Sequence, residues 1–478
     1  MPDLIAFADT AADWHQHRAH LVRKILDEDY HPNTVEVVDL PKDRLMVRPL
    51  ARLRLPQRLT YEAAVFAAAS AISRAIPSNV YSYQWWRRER RFLAPTTSWL
   101  KMQKAARRLN RRRPNWLMAE TDVTSFYEYV DVNTLIDDLS SLPAPKWSVD
   151  VLDGFLQAFN DLNNVSGIPQ GPDASGLLAN LYLRPLDLEL RSLGLPHYRY
   201  SDDIMIFGPD WVSLRDAILR MTRLLRGRRL SLSAGKTDII PGSAVPARLE
   251  DKEKDAITYG IERSIPGSLA DLKRFFDRIT SSAGPPSSRN LKFSFTQLRL
   301  AESCHAVPWL LNNLGEVPHL AREALTYLSC CHAKRPKIAA VVAESLANSK
   351  LVLYPYAQQH ILIYMIHHQV TGPIAREAAW QLLLDRNTES FVREFAARYI
   401  GLNPTPGDGV RLRHEFSIED NPRVRRALLV ACFESGRAPD RFLAGVSKMS
   451  SQLRPTADYL LTAPKEIPLP IFGVRRAP

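Results

Sequence analysis

Cysteine is scarce in this sequence. Four cysteines occur among 478 residues, and none forms a CxxC pair or has the neighbouring histidines of a zinc finger. A disulfide framework and a zinc module are therefore excluded. Because the cysteines lie in apolar segments with a helical pattern, we expect buried thiols in a reducing compartment. They are Cys304, Cys330, Cys331 and Cys432.

Long apolar runs are also missing. No stretch reaches the roughly 18 consecutive apolar residues that a membrane-crossing helix needs. The N-terminal sequence MPDLIAFADTAADWHQHRAH has neither the basic start nor the apolar stretch of a secretory signal. We therefore expect no membrane span, no secretion and a cytoplasmic location.

Acidic residues are nearly absent from one strongly basic stretch. The chain has a net charge of +12, and eleven Lys or Arg residues but one acid, Glu89, lie between Gln84 and Trp116. Such density attracts phosphate backbones through counterion release, and aromatic rings nearby can stack on bases. The stretch therefore predicts a nucleic-acid surface, with a solvated basic helix as the alternative. Its cations include Arg87, Arg88, Arg91, Lys101, Lys104, Arg108, Arg111 and Arg112, and Trp85, Trp86 and Trp116 are among its tryptophans.

The pattern of apolar residues divides the chain into two regions. Residues 31–265 mix β-like runs with helical patterns, whereas strand signals fade beyond about 270. We predict an N-terminal helical segment over 1–30, an α+β domain over 31–265 and an all-α domain over 266–478. Predicted strands are 35–40, 116–123, 198–208 and 236–242, with a short strand and turn at 257–261, and predicted helices are 59–76 and 174–193.

The later helical segments resemble one another. Each has an Arg step inside an amphipathic pattern, with Pro or Gly often nearby, which is typical of stacked HEAT-type helical pairs. A plain helical bundle is the alternative, because the spacing is irregular. The segments are 319–331, 374–384, 391–402 and 422–433.

Carboxylates occur at the ends of predicted strands. Asp122 follows an apolar strand, and Asp202 and Asp203 lie between two β-like runs, as at a hairpin tip. Acids from separate strands can hold two divalent ions about 4 Å apart, as nucleotidyl transfer requires. One ion activates a primer 3′-hydroxyl, and the other shields the triphosphate and leaving pyrophosphate. Magnesium suits these oxygen ligands, with manganese as a substitute.

Other candidate residues surround these acids in sequence. Lys42 and Arg48 precede them in a short extended region, where cations could close over a triphosphate. Between the acids, a turn rich in Gly and Pro opens into a helix, and its Gln170 and Gly171 could line a base and sugar. Lys236 follows the acids and could protonate departing pyrophosphate as a general acid.

Together these features resemble a reverse transcriptase over residues 30 to 265. The motifs in family order are RPL at 48–50, D-x-x-x-F-Y from Asp122, PQG at 169–171, Y-x-D-D from Tyr200 and G-K-T at 235–237. The resemblance implies a right-hand polymerase core of fingers and palm, followed here by the HEAT-like helical domain. Its turn reads YSDD where YADD is commoner, and GPDAS replaces a usual Ser-Pro pair, so Asp173 would lie near the template.

The resemblance also assigns roles to single residues. Tyr127 would be the steric gate, whose ring presses against C2′ of the incoming nucleotide and favours dNTPs; a core aromatic is the alternative. Tyr200 would lie beneath the primer end. The remaining assignments are metal binding and catalysis for Asp122, Asp202 and Asp203, triphosphate binding for Lys42 and Arg48, and sugar and base contacts for Gln170 and Gly171. The implied partners are dNTPs with RNA or DNA.

The region beyond 270 bears on the subtype. It has no RNase H acid quartet, no HNH or zinc-finger pattern and no retron signature. A reverse-transcriptase core followed by HEAT-like helices resembles the bacterial abortive-infection (Abi) and "unknown group" defence enzymes. That resemblance implies an antiphage role, a homo-oligomer, a possible noncoding RNA partner and untemplated or protein-primed synthesis. Available C-terminal tyrosines are Tyr327, Tyr354, Tyr356, Tyr364, Tyr399 and Tyr459.

Two other functions stay open on the sequence alone. One is a group-II-intron-like reverse transcriptase that copies a cellular RNA, with a thumb beginning at 268–280. The other is a catalytically silent nucleic-acid-binding scaffold. The retention of Asp122, Asp202, Asp203 and Lys236 together argues against the scaffold.

Overall fold

The chain folds into two compact units. The computed structural model describes residues 1–26, 35–163, 166–282, 284–335, 337–347, 351, 353–462 and 466–472. The sheet unit comprises His20–Asp39 and Pro49–Lys252, and the helical unit comprises Met1–Ala19, Leu40–Arg48 and Glu253–Pro478. Because the units are defined by contacts between residues, each contains segments that are not adjacent in the chain. The predicted domain limits stay predictions, and the limit between residues 30 and 31 lies outside the described residues.

The strands of the described chain form three sheets. They are β1 Glu36–Pro41, β2 Val47–Arg52, β3 Trp85–Trp86, β4 Arg91–Phe92, β5 Leu117–Thr121, β6 His197–Tyr200, β7 Asp203–Gly208 and β8 Asp238–Ile240. The first two pairs are two-stranded, and the last four form an antiparallel sheet in the order β6-β7-β5-β8. These strands confirm four of the predicted β segments.

Alternation along the strands buries both faces of the four-stranded sheet. Ile204 and Ile206 of β7 pack with Ala119 of β5 into the larger core, while Met205 and Phe207 pack on the other face. This is the period of two that a strand covered on both faces requires. The helices of the sheet unit are α3 Leu55–Ala75, α4 Pro95–Arg112, α5 Val132–Ser140, α6 Lys146–Asn163, α7 Asp173–Tyr182, α8 Arg184–Ser192, α9 Trp211–Gly227 and α10 Val245–Leu249.

The helical unit confirms that the C-terminal region is all-α over its described residues. Several helices begin with proline in the first turn, where the missing N–H costs nothing. The HEAT-type repeat stays a prediction. The helices that lie wholly or partly in this unit are α1 Ala8–Ala12, α2 Trp14–Leu26, α11 Lys252–Glu262, α12 Ser268–Ser281, α13 Ser288–Leu300, α14 Val307–Asn313, α15 Ala321–Cys331, α16 Lys337–Ser345, α17 Pro355–His367, α18 Pro373–Leu384, α19 Ser390–Leu402, α20 Asp408–Ile418, α21 Pro422–Glu434, α22 Asp440–Met449 and α23 Arg454–Thr462.

Buried ion pairs hold the helical unit together. Arg398 of α19 lies fully buried and donates to Glu434 of α21 at 2.9 Å, and it also donates to the backbone carbonyl of Leu4. Arg426 of α21 binds Asp3 at 2.9 Å. The N-terminal residues therefore pack into the C-terminal helices. Every helix among the described residues falls short of the length and apolar character needed to cross a membrane.

Three sequence predictions are wrong in detail. Residues 257–261 lie in α11 rather than a strand, because Ile257 and Gly260 face inward at helical spacing and override their β propensity. The segment predicted as one helix over 174–193 forms two helices, because α7 ends at Tyr182 and α8 begins at Arg184 with Pro185 in its first turn. Cys330 is an exposed thiol rather than a buried one, because it lies on the outer side of α15.

Candidate active site

The antiparallel pairing of β5 with β7 brings the predicted acids together. Thr121 is paired with Ile204, so the adjoining residues Asp122 and Asp203 lie at the same end of the two strands. Asp122 is 7% exposed, and its backbone carbonyl accepts a hydrogen bond from Ser233 N at 2.7 Å. Asp202 lies in the turn between β6 and β7. The sequence prediction of an acid-bearing hairpin beside a second acid-bearing strand is confirmed.

A buried arginine supports the turn that carries two of these acids. Arg199 is fully buried and binds both carboxylate oxygens of Asp187, at 2.9 and 2.6 Å. It also donates to Asn180 Oδ1 at 2.8 Å and to the Ser201 carbonyl at 3.0 Å. The turn's other side is fixed by Ser82, whose Oγ accepts from Ser201 N at 2.8 Å.

Sequence reasoning missed this support. Arg199, Asp187, Asn180 and Ser82 were not among the predicted site residues. An available signal was an Arg between two tyrosines of a predicted strand, since a buried charge must find a partner.

The three carboxylates repel one another. Burial together with the charges of Asp122 and Asp203 raises the pKa of Asp202 to about 6. Burial and the Asp122 charge also raise the pKa of Asp203. The end of the sheet therefore holds more negative charge than its own residues neutralise.

Lys236 supplies a cation at this cluster. It ends a 3₁₀ turn, Ala234–Lys236, and its Nζ donates to Asp122 Oδ2 at 2.5 Å. Partial burial lowers the pKa of Lys236, but the hydrogen bond and charge of Asp122 outweigh it, so the pKa lies above its ordinary value. Lys236 is thus a protonated, half-exposed side chain beside the acids, as a general acid must be.

The donor chemistry of the cluster fits hard divalent cations. Carboxylate oxygens are the ligands that magnesium prefers, and the surplus negative charge favours a bound cation. Among the described residues, no group of three His, Cys, Asp or Glu side chains is already arranged around one ion position. Lys236 pairs with one of the two carboxylate oxygens of Asp122.

The sheet unit contains a cavity of about 250 Å³. It is lined by Tyr127, Tyr129, Gln170 and Phe159, among others. Burial raises the pKa of Tyr127 well above its ordinary value, so its hydroxyl stays neutral. The structure thus brings Tyr127 and Gln170 to one cavity, and their roles in nucleotide binding stay predictions.

Glycines fix the loop that carries Gln170. Gly171 has φ of +127°, and a Cβ there would lie 2.9 Å from the Leu50 side chain. Gly167 has φ of +93°, and a Cβ there would lie 2.0 Å from the Tyr127 carbonyl oxygen. The Gln170 carbonyl accepts from Ala51 N at 2.9 Å, so the loop is held against β2.

The two predicted triphosphate cations lie on the β1–β2 hairpin. Lys42 follows β1, and its N–H donates to the Met46 carbonyl at 2.8 Å. Arg48 lies in β2, and both side chains are exposed. Lys42 and Arg48 cluster with the helical unit, whereas the acids belong to the sheet unit. Their predicted role stays a prediction.

The predicted basic surface has an ordered part on α4. Lys101, Lys104, Arg108 and Arg111 follow one another at helical spacing on the exposed side, with Arg112 beside them. The opposite side is buried, so the exposed cations form a stripe about 16 Å long. We call these five residues the α4 stripe.

The rest of the basic stretch forms a hairpin. Arg87, Arg88 and Arg91 are exposed on β3–β4, where Arg91 pairs with Glu89 at 2.6 Å and lies over the Trp86 ring. Tyr200 donates to the Pro95 carbonyl at 3.1 Å and packs edge-on against Trp99, so it ties the acid-bearing hairpin to the start of α4.

Comparison with known proteins agrees with this site. Residues 71–259 match the family described as "Reverse transcriptase (RNA-dependent DNA polymerase)". No curated protein matches the sequence. A solved structure of apo telomerase from Candida tropicalis has 10% identity and a TM-score of 0.35, with 80% of this chain and 74% of that chain covered. That score is too low to identify a shared fold.

An antiparallel sheet with acids converging from β5 and the β6–β7 turn is the palm of a nucleotidyltransferase polymerase. The matched residues include Asp122, Asp202, Asp203 and Lys236 and exclude Lys42 and Arg48. The match over residues 71–259 supports a nucleotidyltransferase polymerase of the reverse-transcriptase type.

Proposed function

We propose that the chain is a DNA polymerase in which Asp122, Asp202 and Asp203 bind two magnesium ions, with manganese as a substitute. The observation that carries the proposal is the convergence of these acids and Lys236 at one end of the palm sheet. When bound, the two cations activate a primer 3′-hydroxyl and neutralise charge on the triphosphate.

The chain's own residues then take distinct tasks. Lys236 is held protonated by Asp122 and gives its proton to the departing pyrophosphate. The Tyr127 ring excludes a 2′-hydroxyl and so favours dNTPs, while Gln170 and Gly171 line the sugar and base. The triphosphate roles of Lys42 and Arg48 belong to the same proposal.

The nucleic acid binds to exposed cations and lies over Tyr200. The α4 stripe contacts phosphates along a strand, because its charges recur on one face over about 16 Å. Arg87, Arg88 and Arg91 extend this surface on the β3–β4 hairpin. We include RNA as a template, since the family described in the comparison is RNA-dependent.

The biological setting we propose is antiphage defence by a cytoplasmic homo-oligomer of the Abi or unknown-group type, with a noncoding RNA as a possible partner. The helical unit after a reverse-transcriptase domain supports it. If synthesis starts on a C-terminal tyrosine, burial favours two of the six. Tyr354 and Tyr356 are partly exposed, whereas Tyr327, Tyr364, Tyr399 and Tyr459 are buried.

The test is incorporation of labelled dNTPs with magnesium, first without and then with an RNA template and primer. Asp202→Ala/Asp203→Ala removes two proposed metal ligands, and we expect it to lower incorporation by about two to three orders of magnitude. Asp150→Asn is the matched control, because it removes an exposed acid of α6 in the same unit. Products are resolved before and after protease, and a protease-sensitive shift indicates protein priming.

Two results would contradict the proposal. One is equal incorporation by wild type and the double variant. The other is no incorporation under any condition while RNA binding persists, which would favour the scaffold alternative. Loss of incorporation in Asp150→Asn as well would show that the assay reports folding rather than metal binding.

A further inference from the structure

We infer that the exposed side of α9 binds a single-stranded segment of RNA, on a surface separate from the α4 stripe. Three arginines and two apolar residues share this side of the helix, which we call the α9 face. They are Val212, Arg215, Leu219, Arg223 and Arg226. The choice of RNA rests on the proposed function, in which RNA serves as a template, whereas the surface itself does not depend on catalysis.

The α9 face follows from the helical repeat. One side of α9 is buried, with Leu214 and Met221 among its residues, and the members of the α9 face project from the opposite side. Arg215 and Arg226 are eleven positions apart, which is about 16 Å along the helix axis. Arg223 lies between them, so three exposed guanidinium groups follow one another along one line.

The charge of the α9 face is not compensated by neighbouring acids. Between Trp211 and Arg229 the sequence has six arginines, no lysine and one acid, Asp216. The acids nearby are paired with other arginines: Asp216 at 2.8 Å and Glu189 at 3.5 Å with Arg220, Asp131 at 2.9 Å with Arg229, and Asp138 with Arg228. Over the part of the chain that the structure describes, no carboxylate lies within ion-pair distance of the three arginines of the α9 face. Their charge is therefore available to an anionic partner.

Helices α9 and α4 cover opposite faces of the palm sheet. Leu214 of α9 packs in the core that contains Ile206, and α9 lies against β5 and β7. Met102 of α4 packs instead with Met205 and Phe207, on the other face of the same sheet. Because each helix is about 10 Å across and the sheet lies between them, the α9 face and the α4 stripe are more than about 20 Å apart. The two surfaces therefore contact different segments of nucleic acid.

The composition of the α9 face favours unpaired RNA over a protein or a membrane. A guanidinium group binds two phosphate oxygens at once and also stacks on bases. Val212 and Leu219 are 71% and 37% exposed, and Trp211 at the start of the helix is 56% exposed, so apolar contacts for unpaired bases lie beside the charges. The core of a protein interface is depleted of charge, and a membrane-bound helix needs a broad apolar face, which α9 turns towards the sheet.

The experiment measures the affinity of the full chain for a single-stranded RNA oligonucleotide that carries photoreactive uridines, and maps the crosslinked peptides. We expect Arg215→Gln/Arg223→Gln/Arg226→Gln to weaken binding by about 10- to 100-fold near 0.1 M salt. The slope of log affinity against log salt should become shallower by about 2, because each phosphate contact on a single strand contributes about 0.7. In wild type, crosslinks should include peptides of α9.

Two further variants serve as controls. Arg220→Gln removes a cation of the same helix that is already paired with Asp216, and it should change the affinity by less than about threefold. Replacing the three arginines of the α9 face with lysine keeps the charges, so most of the affinity and the full salt slope should remain. All are repeated in a chain with Lys101→Gln/Lys104→Gln, so that RNA bound to the α4 stripe does not hide the effect.

Unchanged RNA affinity in the triple Gln variant overturns the inference, as does an equal loss in the triple Lys variant or in Arg220→Gln. The inference is also overturned if the triple Gln variant keeps RNA but loses self-association, single-stranded DNA, or vesicles that contain phosphatidylserine. If wild type incorporates no nucleotide but its RNA binding depends on the α9 face, the proposed function fails and the inference stands. If wild type incorporates dNTPs and its RNA binding does not depend on the α9 face, the inference alone fails.

Discussion

The helical unit pairs its buried carboxylates with arginines, whereas the sheet unit gathers three carboxylates at one end of its four-stranded sheet. In the helical unit, Glu419 faces the buried Arg393 and Glu434 faces the buried Arg398. Each charge therefore finds a partner of opposite sign, which repays much of the cost of leaving water. These pairs serve packing between neighbouring helices.

At the end of the palm sheet, three carboxylates face one another with Lys236 as the cation in contact. The same unit pairs its other buried acid, Asp187, with Arg199. The sheet unit therefore compensates buried charge where the charge is structural. The carboxylates left without cationic partners at the end of the palm sheet cost stability, which supports the proposal that they bind cations.

The largest expected effect is in the helical unit. Glu419→Ala leaves Arg393 buried without its carboxylate, and we expect a loss of about 3–5 kcal/mol in the unfolding free energy of that unit. Hydrogen exchange of the α19 amides measures it. A loss below about 1 kcal/mol would break the comparison, because the pair would then contribute no more than a surface bridge.

Lowering the pH should destabilise the helical unit, because protonation of a buried histidine creates a charge without a partner. His360 is buried, and burial together with the charge of Arg322 lowers its pKa to about 4. Because the unfolded chain binds this proton near pH 6.5 and the folded one does not, stability falls as the pH drops from 6.5 towards 4. We expect about 2 kcal/mol at this site between pH 7 and 5. Unfolding of wild type and His360→Gln at both values checks it, and equal pH dependence of the two would refute it.

Removing one acid from the palm should stabilise the fold. Asp202→Asn lowers the repulsion among the three carboxylates, so we expect the sheet unit to gain about 1 kcal/mol, measured by urea unfolding in EDTA. Asp150→Asn, the matched control, should change stability by less. A destabilised Asp202→Asn would mean that the carboxylate is structural rather than surplus.

The smallest expected effect tests whether burial, rather than location in the helical unit, determines how much an ion pair contributes to stability. Glu253 pairs with Arg278 at 2.6 Å in the helical unit, but both side chains are about half exposed. We expect Glu253→Gln to cost about 0.5 kcal/mol or less, because exposed pairs gain little over solvation. Thermal unfolding alongside Glu419→Ala gives the contrast directly.

Strand ends could be predicted from the sequence, and with them the meeting of Asp122, Asp202 and Asp203. The apolar runs fix β5 and β7, and antiparallel pairing then brings their acids to one end. The helical segments beyond 270 were predictable for a similar reason, since their apolar spacing is local information.

Features set by contacts between different elements of the fold could not be predicted. The sequence predicts only that Arg199 lies in a strand, and its hydrogen bonds to Asp187 and Asn180 are seen only in the structure. The contact of Tyr83 with Gly176 joins residues 93 positions apart. Residues 257–261 have β-like composition, and only their tertiary surroundings make them helical.

The support of the acid-bearing turn has a consequence for the order of folding. Arg199 finds Asn180, Asp187 and Ser201 within about twenty residues of chain, so closing these contacts costs little loop entropy. Asp122 must instead come from eighty residues away. We therefore expect these local contacts within residues 173–208 to form before the strand that carries Asp122 docks against β7.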